Sequence, residues 1–349
     1  MLSTRLTELL GIDHPVVLPG MSWISKAELV AAVSEAGGLG ILATGPLQPD
    51  ETREAIAQVR KRTSRPFGVG ITLMMPGALP NAQVALEEQV PVVNFQLGKG
   101  EWLVKGVHSY GGKAIATVIS EKHARSAEAV GVDALLVTGY EAAAHGSDVS
   151  SLVLLPAVAR AVNVPLIAAG GFANGAGLLA ALSLGASGIA MGTRFAATQQ
   201  SALHPDAKQS IIEKTQDETI RNKNFDGMMA RVMRTPTSLR ITRRPMSFPE
   251  TAVRAIRSAR KLGMPVHQVL RALLTQLDRV RLLSYFGAAL DKVEIATIRG
   301  DVENGVQFIG QAQGLVHDVP NAGDLVRRVV AEAEELLEKL SKHSSPGGG

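Results

Sequence analysis

Two turns late in the chain carry the strongest chemical signal in the sequence. Gly170 and Gly171 end the apolar run PLIAAGG, and Gly192 and Thr193 end the apolar run GIAMGT. Glycine leaves backbone N–H groups open to a ligand, and the threonine hydroxyl can add a further hydrogen-bond donor. One such turn is explained equally well by tight backbone packing. Two of them at neighbouring strand ends predict a phosphate site.

His145 is the candidate acid–base residue. It lies in the run GYEAAAHGSDV, after an apolar segment that ends near Thr138 and before a helix that begins near Leu152. A loop histidine among small residues can approach a flat ligand and can exchange a proton near neutral pH. A surface-loop histidine without a chemical role is the alternative. A weaker third signal is the run PGMSW, residues 19–23, which offers backbone amides and an apolar wall.

Composition and spacing exclude several other chemistries. The 349 residues contain no cysteine, which excludes disulfides, a thiolate nucleophile and cysteine-ligated metal. No His or carboxylate pair has metal-ligand spacing with a third ligand, and no G-x-S-x-G elbow is present, so we expect neither a metal site nor a serine hydrolase. The net charge of +4 comes without a basic module, so we expect no nucleic-acid partner. The run RITRR, residues 240–244, is either a solvated face or a contact for an anionic substrate.

No targeting or membrane segment is evident. No apolar run approaches the roughly 18 residues of a transmembrane helix. The N-terminal run MLSTRLTELLGIDHP has charged residues among its apolar positions and no signal-peptide core. We therefore expect a cytoplasmic protein without a membrane partner.

The elements that must position these residues alternate between short apolar runs and amphipathic stretches, which is typical of repeated βα units. Eight strands are predicted: Val16–Leu18, Gly38–Leu42, Phe67–Leu73, Val92–Phe95, Lys113–Ile119, Ala134–Thr138, Pro165–Ala169 and Gly188–Met191. A doubly wound open sheet would place its glycine fingerprint after the first strand, whereas the glycine turns here come late. The α/β pattern therefore predicts a (β/α)8 TIM barrel over residues 1–200.

Residues 201–343 are predicted to form an additional, mainly helical C-terminal subdomain whose last helix returns to the barrel. The candidate helices are Pro205–Thr215, Glu250–Leu262, Val266–Leu283, Gly305–Val316 and Ala322–Leu340. The remaining residues, 344–349, read SSPGGG and are expected to be a disordered tail.

The motifs PGMS, AGGLG, RPFGV, EAAAHG, AAGGFANG and MGTRF, taken in order, resemble the nitronate monooxygenase family, formerly called 2-nitropropane dioxygenases. The resemblance runs from about Leu6 to His204, and a looser similarity continues in GQAQGLVHD, residues 310–318. Each phosphate motif occurs in other phosphate-binding barrels, but the ordered set is much more specific.

The resemblance implies noncovalent FMN across the C-terminal mouth of the barrel. It implies His145 as the catalytic residue, acting as base or as electrostatic partner of the substrate. The cofactor-binding residues that it implies fall into four groups: Gly170, Gly171, Gly192 and Thr193 at the phosphate with Ala169 beside them; Gly20, Met21 and Ser22 against the flavin ring; Thr72, Thr117 and Thr138 at strand ends; and Ala143 and Ala144 beside the histidine loop.

Three positions depart from the family pattern around the flavin ring. Ala144 stands where a glycine is common, Gly70 where many relatives have asparagine, and Thr117 where some have lysine. A lysine there could stabilise negative charge on the flavin, so its absence bears on redox behaviour.

The implied activity is oxidation of an alkyl nitronate with O2 to a carbonyl compound and nitrite. Two alternatives share the fold: an NAD(P)H:quinone reductase and an enoyl-acyl-carrier-protein reductase, in which NAD(P)H is the reductant. A non-catalytic flavin-binding protein is the alternative from another class. The resemblance also makes a homodimer plausible.

Overall fold

Eight parallel strands close into a barrel, which confirms the predicted fold class. The computed structural model describes residues 2–75, 77–244 and 291–344, together with positions 247, 249, 250, 253, 256, 257, 285 and 289. The barrel strands are β1 (Val16–Leu18), β2 (Leu39–Ala43), β3 (Phe67–Thr72), β4 (Val92–Gln96), β5 (Lys113–Val118), β6 (Ala134–Thr138), β7 (Leu166–Ala169) and β8 (Gly188–Ala190). The sheet closes because β1 pairs with β2 through Val17↔Leu39 and with β8 through Val16↔Ile189.

Helices follow each of the first seven strands and form the outer ring, and further helices precede the first strand and follow the last. Their bounds are α1 (Arg5–Leu10), α2 (Ala27–Glu35), α3 (Pro49–Arg60), α4 (Ala78–Glu87), α5 (Glu101–His108), α6 (Glu121–Ala129), α7 (Ser151–Ala159), α8 (Gly175–Ser183), α9 (Gly192–Ala196), α10 (Pro205–Glu213) and α11 (Pro236–Arg243). Several begin where the sequence satisfies exposed N–H groups: the side chains of Thr4, Ser120 and Asn174 accept hydrogen bonds from the first turns of α1, α6 and α8.

Alternation along the strands separates an inner core from an outer one. Val17, Ile41 and Ile167 point into the barrel, where they pack with Leu6 and Leu10 of α1, which closes the N-terminal end. Larger clusters lie between the strands and the helix ring. Towards the C-terminal mouth the inward positions become small, and this leaves space above the inner core.

The chain leaves the barrel pattern after β8 and returns to it at the end. It passes through α9, α10, an antiparallel hairpin of β9 (Thr219–Asn222) and β10 (Ala230–Met233), and α11. The C-terminal helix, Ala322–Ser344, then packs against α8 and α2 and takes the eighth place in the helix ring. Gly175 permits this close approach, since a Cβ there would lie 2.4 Å from the backbone N of Ala333. Whether residues 201–343 form a separate subdomain stays a prediction.

Two details of this region differ from the sequence predictions. The sequence analysis predicted only helices for this region and omitted the β9–β10 hairpin. The predicted helix Gly305–Val316 is wrong, because only Gln311–Leu315 forms a short 3-10 helix. Tertiary contacts decide the conformation there: the N–H of Gly310 donates to the Thr193 hydroxyl at 3.0 Å. Apart from isolated positions, the predicted helices Glu250–Leu262 and Val266–Leu283 lie outside the described residues, as does the tail except Ser344. No helix within the described ranges is long and apolar enough to span a membrane.

Candidate active site

A cavity of about 290 Å³ lies at the C-terminal mouth of the barrel. Strand ends form its floor, the β9–β10 hairpin one side, and the segments around residues 293–297 and 307–312 the roof. All fourteen sequence-predicted site residues lie on its wall: Gly20, Met21, Ser22, Thr72, Thr117, Thr138, Ala143, Ala144, His145, Ala169, Gly170, Gly171, Gly192 and Thr193. The structure thus brings the set together, while the role of each residue stays a prediction.

The floor of the cavity is flat because its inward residues are small. Gly20 and Gly70 lie side by side there, and a Cβ at Gly20 would be in ordinary van der Waals contact, 3.5 Å, with the Gly70 Cα. Ala169 of β7 and Ala190 of β8, the strand that pairs with β1, continue the floor. A planar ring system can lie on such a surface without a side chain in its way.

The glycine turns form an anion cradle beside this floor. Gly170 and Gly171 have φ values of 98° and 90°, a backbone conformation that strongly favours glycine. Among the described residues, no protein acceptor pairs with the N–H groups of Gly171, Gly192 or Thr193. The Thr193 Oγ1 accepts from Gly310, so its own proton remains free to donate. These donors fit a phosphate group.

Amide side chains from β4 line the far edge of the floor. Asn94 Nδ2 donates to the Thr117 hydroxyl at 3.1 Å, and Gln96 Nε2 donates to the Thr72 hydroxyl at 3.0 Å. Asn94 pairs with Gly70 across the strands β3 and β4. The neighbouring strand therefore places an amide side chain on the cavity wall directly beside Gly70.

His145 makes a short hydrogen bond to a buried carboxylate. Its Nε2 lies 2.7 Å from Oδ2 of Asp226, whose side chain is 2% exposed, whereas the His145 side chain is 24% exposed to the cavity and solvent. The second carboxylate oxygen of Asp226 accepts from the N–H of Met228 at 3.1 Å, which fixes its orientation. A proton on Nε2 is thus held by Asp226, and Nδ1 is left as the basic nitrogen.

The β9–β10 hairpin fixes the loop that carries His145. Ala144 and Arg231 exchange two backbone hydrogen bonds of 3.0 and 2.9 Å. These bonds hold Ala144 at φ 51°, a left-handed conformation that explains why a glycine suits this position in relatives. Arg231 also donates to the Tyr140 carbonyl, and Arg221 donates to the Gly146 carbonyl, each at 3.0 Å.

The roof of the cavity is mostly apolar. Phe308 lies with its ring centroid 6.5 Å from that of His145, and Phe172, Val293 and Ala289 continue the apolar surface. Trp23 and Met75 face it from the other side. A ligand above the floor is therefore largely shielded from water, which strengthens electrostatic interactions with His145.

An ion pair ties the barrel motif MGTRF to the C-terminal motif GQAQGLVHD. Arg194, with 2% of its side chain exposed, donates to Asp318 at 2.6 Å, and Arg328 binds the other oxygen of that carboxylate at 2.7 Å. Burial lowers the pKa of Arg194, and the hydrogen bond from Arg328 lowers the pKa of Asp318. The pair holds the C-terminal motif against α9, the helix that begins at Gly192 and Thr193.

Sequence reasoning missed Asp226, Asn94, Gln96 and Phe308. The two amides follow the alternation of β4, so an inward-facing polar pair at a strand end was a usable signal. Asp226 gave none, because it lies 81 residues from His145 in a polar hairpin. Among the described residues, no group of three or more His, Asp or Glu side chains could hold a metal ion.

Comparison with known proteins agrees with this geometry. A family model described as nitronate monooxygenase matches residues 3–332. The chain is 36% identical over 350 residues to the (3aS,4S,5R,7aS)-5-hydroxy-7a-methyl-1-oxo-octahydro-1H-indene-4-carboxyl-CoA dehydrogenase of Mycobacterium tuberculosis, covering 97% of this chain and 98% of that relative. It is 29% identical over 273 residues to a probable nitronate monooxygenase of Staphylococcus aureus, covering 65% and 77%. The solved structure of FabK from Thermotoga maritima superposes with a TM-score of 0.82 at 34% identity, covering 98% and 100%.

Proposed function

The chain belongs to the nitronate monooxygenase family and is an oxidoreductase, and from this premise we propose an FMN-dependent enzyme in which His145 removes a proton from a carbon acid. A carbon acid is a substrate whose C–H bond is acidified by a neighbouring nitro or thioester group. The observation that carries the proposal is the 2.7 Å hydrogen bond between His145 and buried Asp226 on the wall of the cavity. Because this family is flavin-dependent, the electron acceptor in the proposed reaction is a bound flavin.

The residues present fit FMN. The free N–H groups of Gly171, Gly192 and Thr193 are donors for its phosphate. The floor at Gly20 and Ala169 is flat enough for its ring. When bound, FMN supplies the acceptor for the electron pair that leaves the substrate.

His145 would act through Nδ1, since Nε2 is held by Asp226. The Asp226 carboxylate stabilises the imidazolium that forms when Nδ1 takes the substrate proton. The apolar roof at Phe172 and Phe308 excludes water from the substrate carbon. The removed proton is thereby kept on the imidazole until product leaves.

For the substrate we propose a carboxyl-CoA thioester, oxidised by loss of the α-proton to His145 and of a hydride from the adjacent carbon. The apolar roof suits a bulky ring system better than a small nitronate. The Mycobacterium tuberculosis relative, which the chain matches along almost its full length, is named as a carboxyl-CoA dehydrogenase.

Oxidation of an alkyl nitronate with O2 to a carbonyl compound and nitrite is the second candidate. The family description and the Staphylococcus aureus relative favour it, although that match covers only 65% of this chain. A nitronate arrives already deprotonated, so His145 would then orient its oxygens rather than act as base.

A substrate panel tests the proposal. The protein reconstituted with FMN is given an alicyclic carboxyl-CoA with an artificial electron acceptor, an alkyl nitronate in air with nitrite as readout, and a quinone or an enoyl thioester with NADH or NADPH. We expect turnover of the CoA thioester, and its loss in His145→Gln. Turnover only with NADH or NADPH would establish the reductase alternatives instead. A colourless protein that takes up no FMN would leave every flavin activity without support.

A further inference from the structure

The segment beside the cavity that contains cavity-lining Asp226 carries a strong excess of positive charge. Residues 219–244 contain seven arginine and lysine residues and one acidic residue, Asp226, whereas the whole chain has a net charge of only +4. The segment comprises the β9–β10 hairpin and α11. The single acid is buried against His145, so almost all of the exposed charge here is positive.

This basic segment is attached to the cavity rim at a defined point. Asn224, two residues from cavity-lining Asp226, donates from Nδ2 to the carbonyls of Ile241 and Thr242 at 3.2 Å each. The last turn of α11, with Arg243, therefore sits beside the turn that begins at Lys223. The sequence alone could not decide whether the run RITRR is a solvated face or a contact for an anion. The structure places this run beside the hairpin turn that carries cavity-lining Asp226.

Within the part of the chain that the structure describes, most of these cations have no carboxylate partner. Arg221 pairs with Asp148, and Arg244 lies 3.7 Å from Glu250. Among the described residues, no carboxylate lies within ion-pair distance of Lys223, Arg240 or Arg243, and all three are exposed. Elsewhere on the surface, exposed arginines such as Arg53, Arg60 and Arg125 are paired. Unpaired cations concentrated at one rim produce a positive potential that attracts anions.

A buried arginine adds to this potential. Arg231 is 3% exposed and donates only to neutral acceptors, the Thr219 hydroxyl and the Tyr140 carbonyl. Its guanidinium also stacks on the Tyr140 ring at 4.6 Å, and its Nε has no partner. Since no carboxylate among the described residues pairs with it, its charge contributes to the positive potential of this segment.

We infer that Lys223, Arg240 and Arg243 form a rim site for the phosphates of an adenosine-diphosphate arm, with the reactive end of that ligand in the cavity. Both coenzyme A thioesters and NADPH carry such an arm, and arginine and lysine are the side chains that bind its phosphates. The inference rests on the proposed function, because it assigns the carrier end of the same substrate.

Binding without turnover tests this inference. The FMN-loaded protein is titrated with coenzyme A, NADPH and pantetheine, the last lacking phosphate, by calorimetry. The test variant is Lys223→Ala/Arg243→Ala. The matched control is Lys61→Ala/Arg160→Ala, an equal charge change at the C-terminal ends of α3 and α7, on the opposite end of the barrel.

We expect the test variant to bind coenzyme A about tenfold more weakly, as two exposed charge-assisted contacts predict, and the control to bind as the wild type does. Raising NaCl from about 0.05 M to about 0.5 M should weaken wild-type binding more than variant binding. If the test variant binds only coenzyme A more weakly, the rim site takes the arm of a coenzyme A thioester. If it binds only NADPH more weakly, the rim site takes the arm of the dinucleotide. No binding of either nucleotide, or equal weakening in the control, would overturn the inference. Because the titration measures binding and no catalytic step, it tests the rim site even if His145 does not act as the base.

Discussion

Replacing Asp226 with asparagine tests the pairing that defines the site. Asparagine keeps the size of the side chain, and its carbonyl oxygen can still accept from Met228. Its amide must then donate to Nε2 of His145, which moves the imidazole proton to Nδ1 and removes the base from the substrate side. The lost interaction is a 2.7 Å charge-assisted hydrogen bond with a carboxylate that is 2% exposed. Such a bond contributes about 1.5–3 kcal/mol, so kcat/KM should fall about 10- to 150-fold.

The assay is a double-mutant cycle on steady-state oxidation of the carbon acid. Asp226→Asn, His145→Gln and the double variant are compared at equal FMN occupancy, checked by absorbance. We expect kcat to fall with little change in KM, and the double variant to be no slower than His145→Gln, because the carboxylate acts only through the imidazole. Additive losses in the two single variants, or full activity in Asp226→Asn, would refute the dyad.

Three further predictions concern the cradle and its support. Gly171→Ala at φ 90° should weaken FMN binding about tenfold by spectral titration, while Gly131→Ala, at φ 88° and away from the cavity, should lower stability without changing FMN affinity. Thr193→Val removes the acceptor of a buried N–H and one phosphate donor, so thermal denaturation should show a loss of about 1–3 kcal/mol and FMN binding should weaken. Asp318→Asn should cost about 1–3 kcal/mol at pH 7, because Arg194 loses its carboxylate and Asp318 is half-exposed. Since the folded pKa of Asp318 is lowered, its contribution is full above the unfolded value of about 4 and is lost as the pH falls through the folded value, so the difference in urea unfolding should shrink steadily as the pH is lowered below about 4.

The barrel was predictable because each of its strands is a short apolar run bounded by turn residues. Parallel strands that are buried on both faces consist of such apolar runs. The observed strand bounds differ from the predicted ones by no more than one residue at either end. The tight turn at Gly170 and Gly171 was predictable for a related reason, since both adopt positive φ values that few other residues tolerate, while its role in holding a phosphate stays a prediction.

The parts that escaped prediction depend on contacts between distant segments. The hairpin strands read TIRN and ARVM, without the alternation of a half-buried strand, and their pairing with the loop at Ala144 is fixed by tertiary hydrogen bonds. Asp226 comes within hydrogen-bond distance of His145 only through that pairing. The stretch after Gly305 has helix-compatible apolar spacing, but Gly310 binds Thr193 and packs against Glu141 instead.

Anaerobic reduction of the bound flavin is the most direct test of the central claim that His145 takes a proton from a carbon acid held over FMN. The wild type and His145→Gln are each mixed with a neutral nitroalkane, with its preformed nitronate, and with the alicyclic carboxyl-CoA, and flavin bleaching is followed by stopped flow. We predict that His145→Gln loses about 100-fold or more in bleaching rate with the two neutral acids, as general-base catalysis contributes, and much less with the nitronate, which needs no base. Equal bleaching of both proteins by the neutral acids, or no bleaching of the wild type by either neutral acid, would contradict the account.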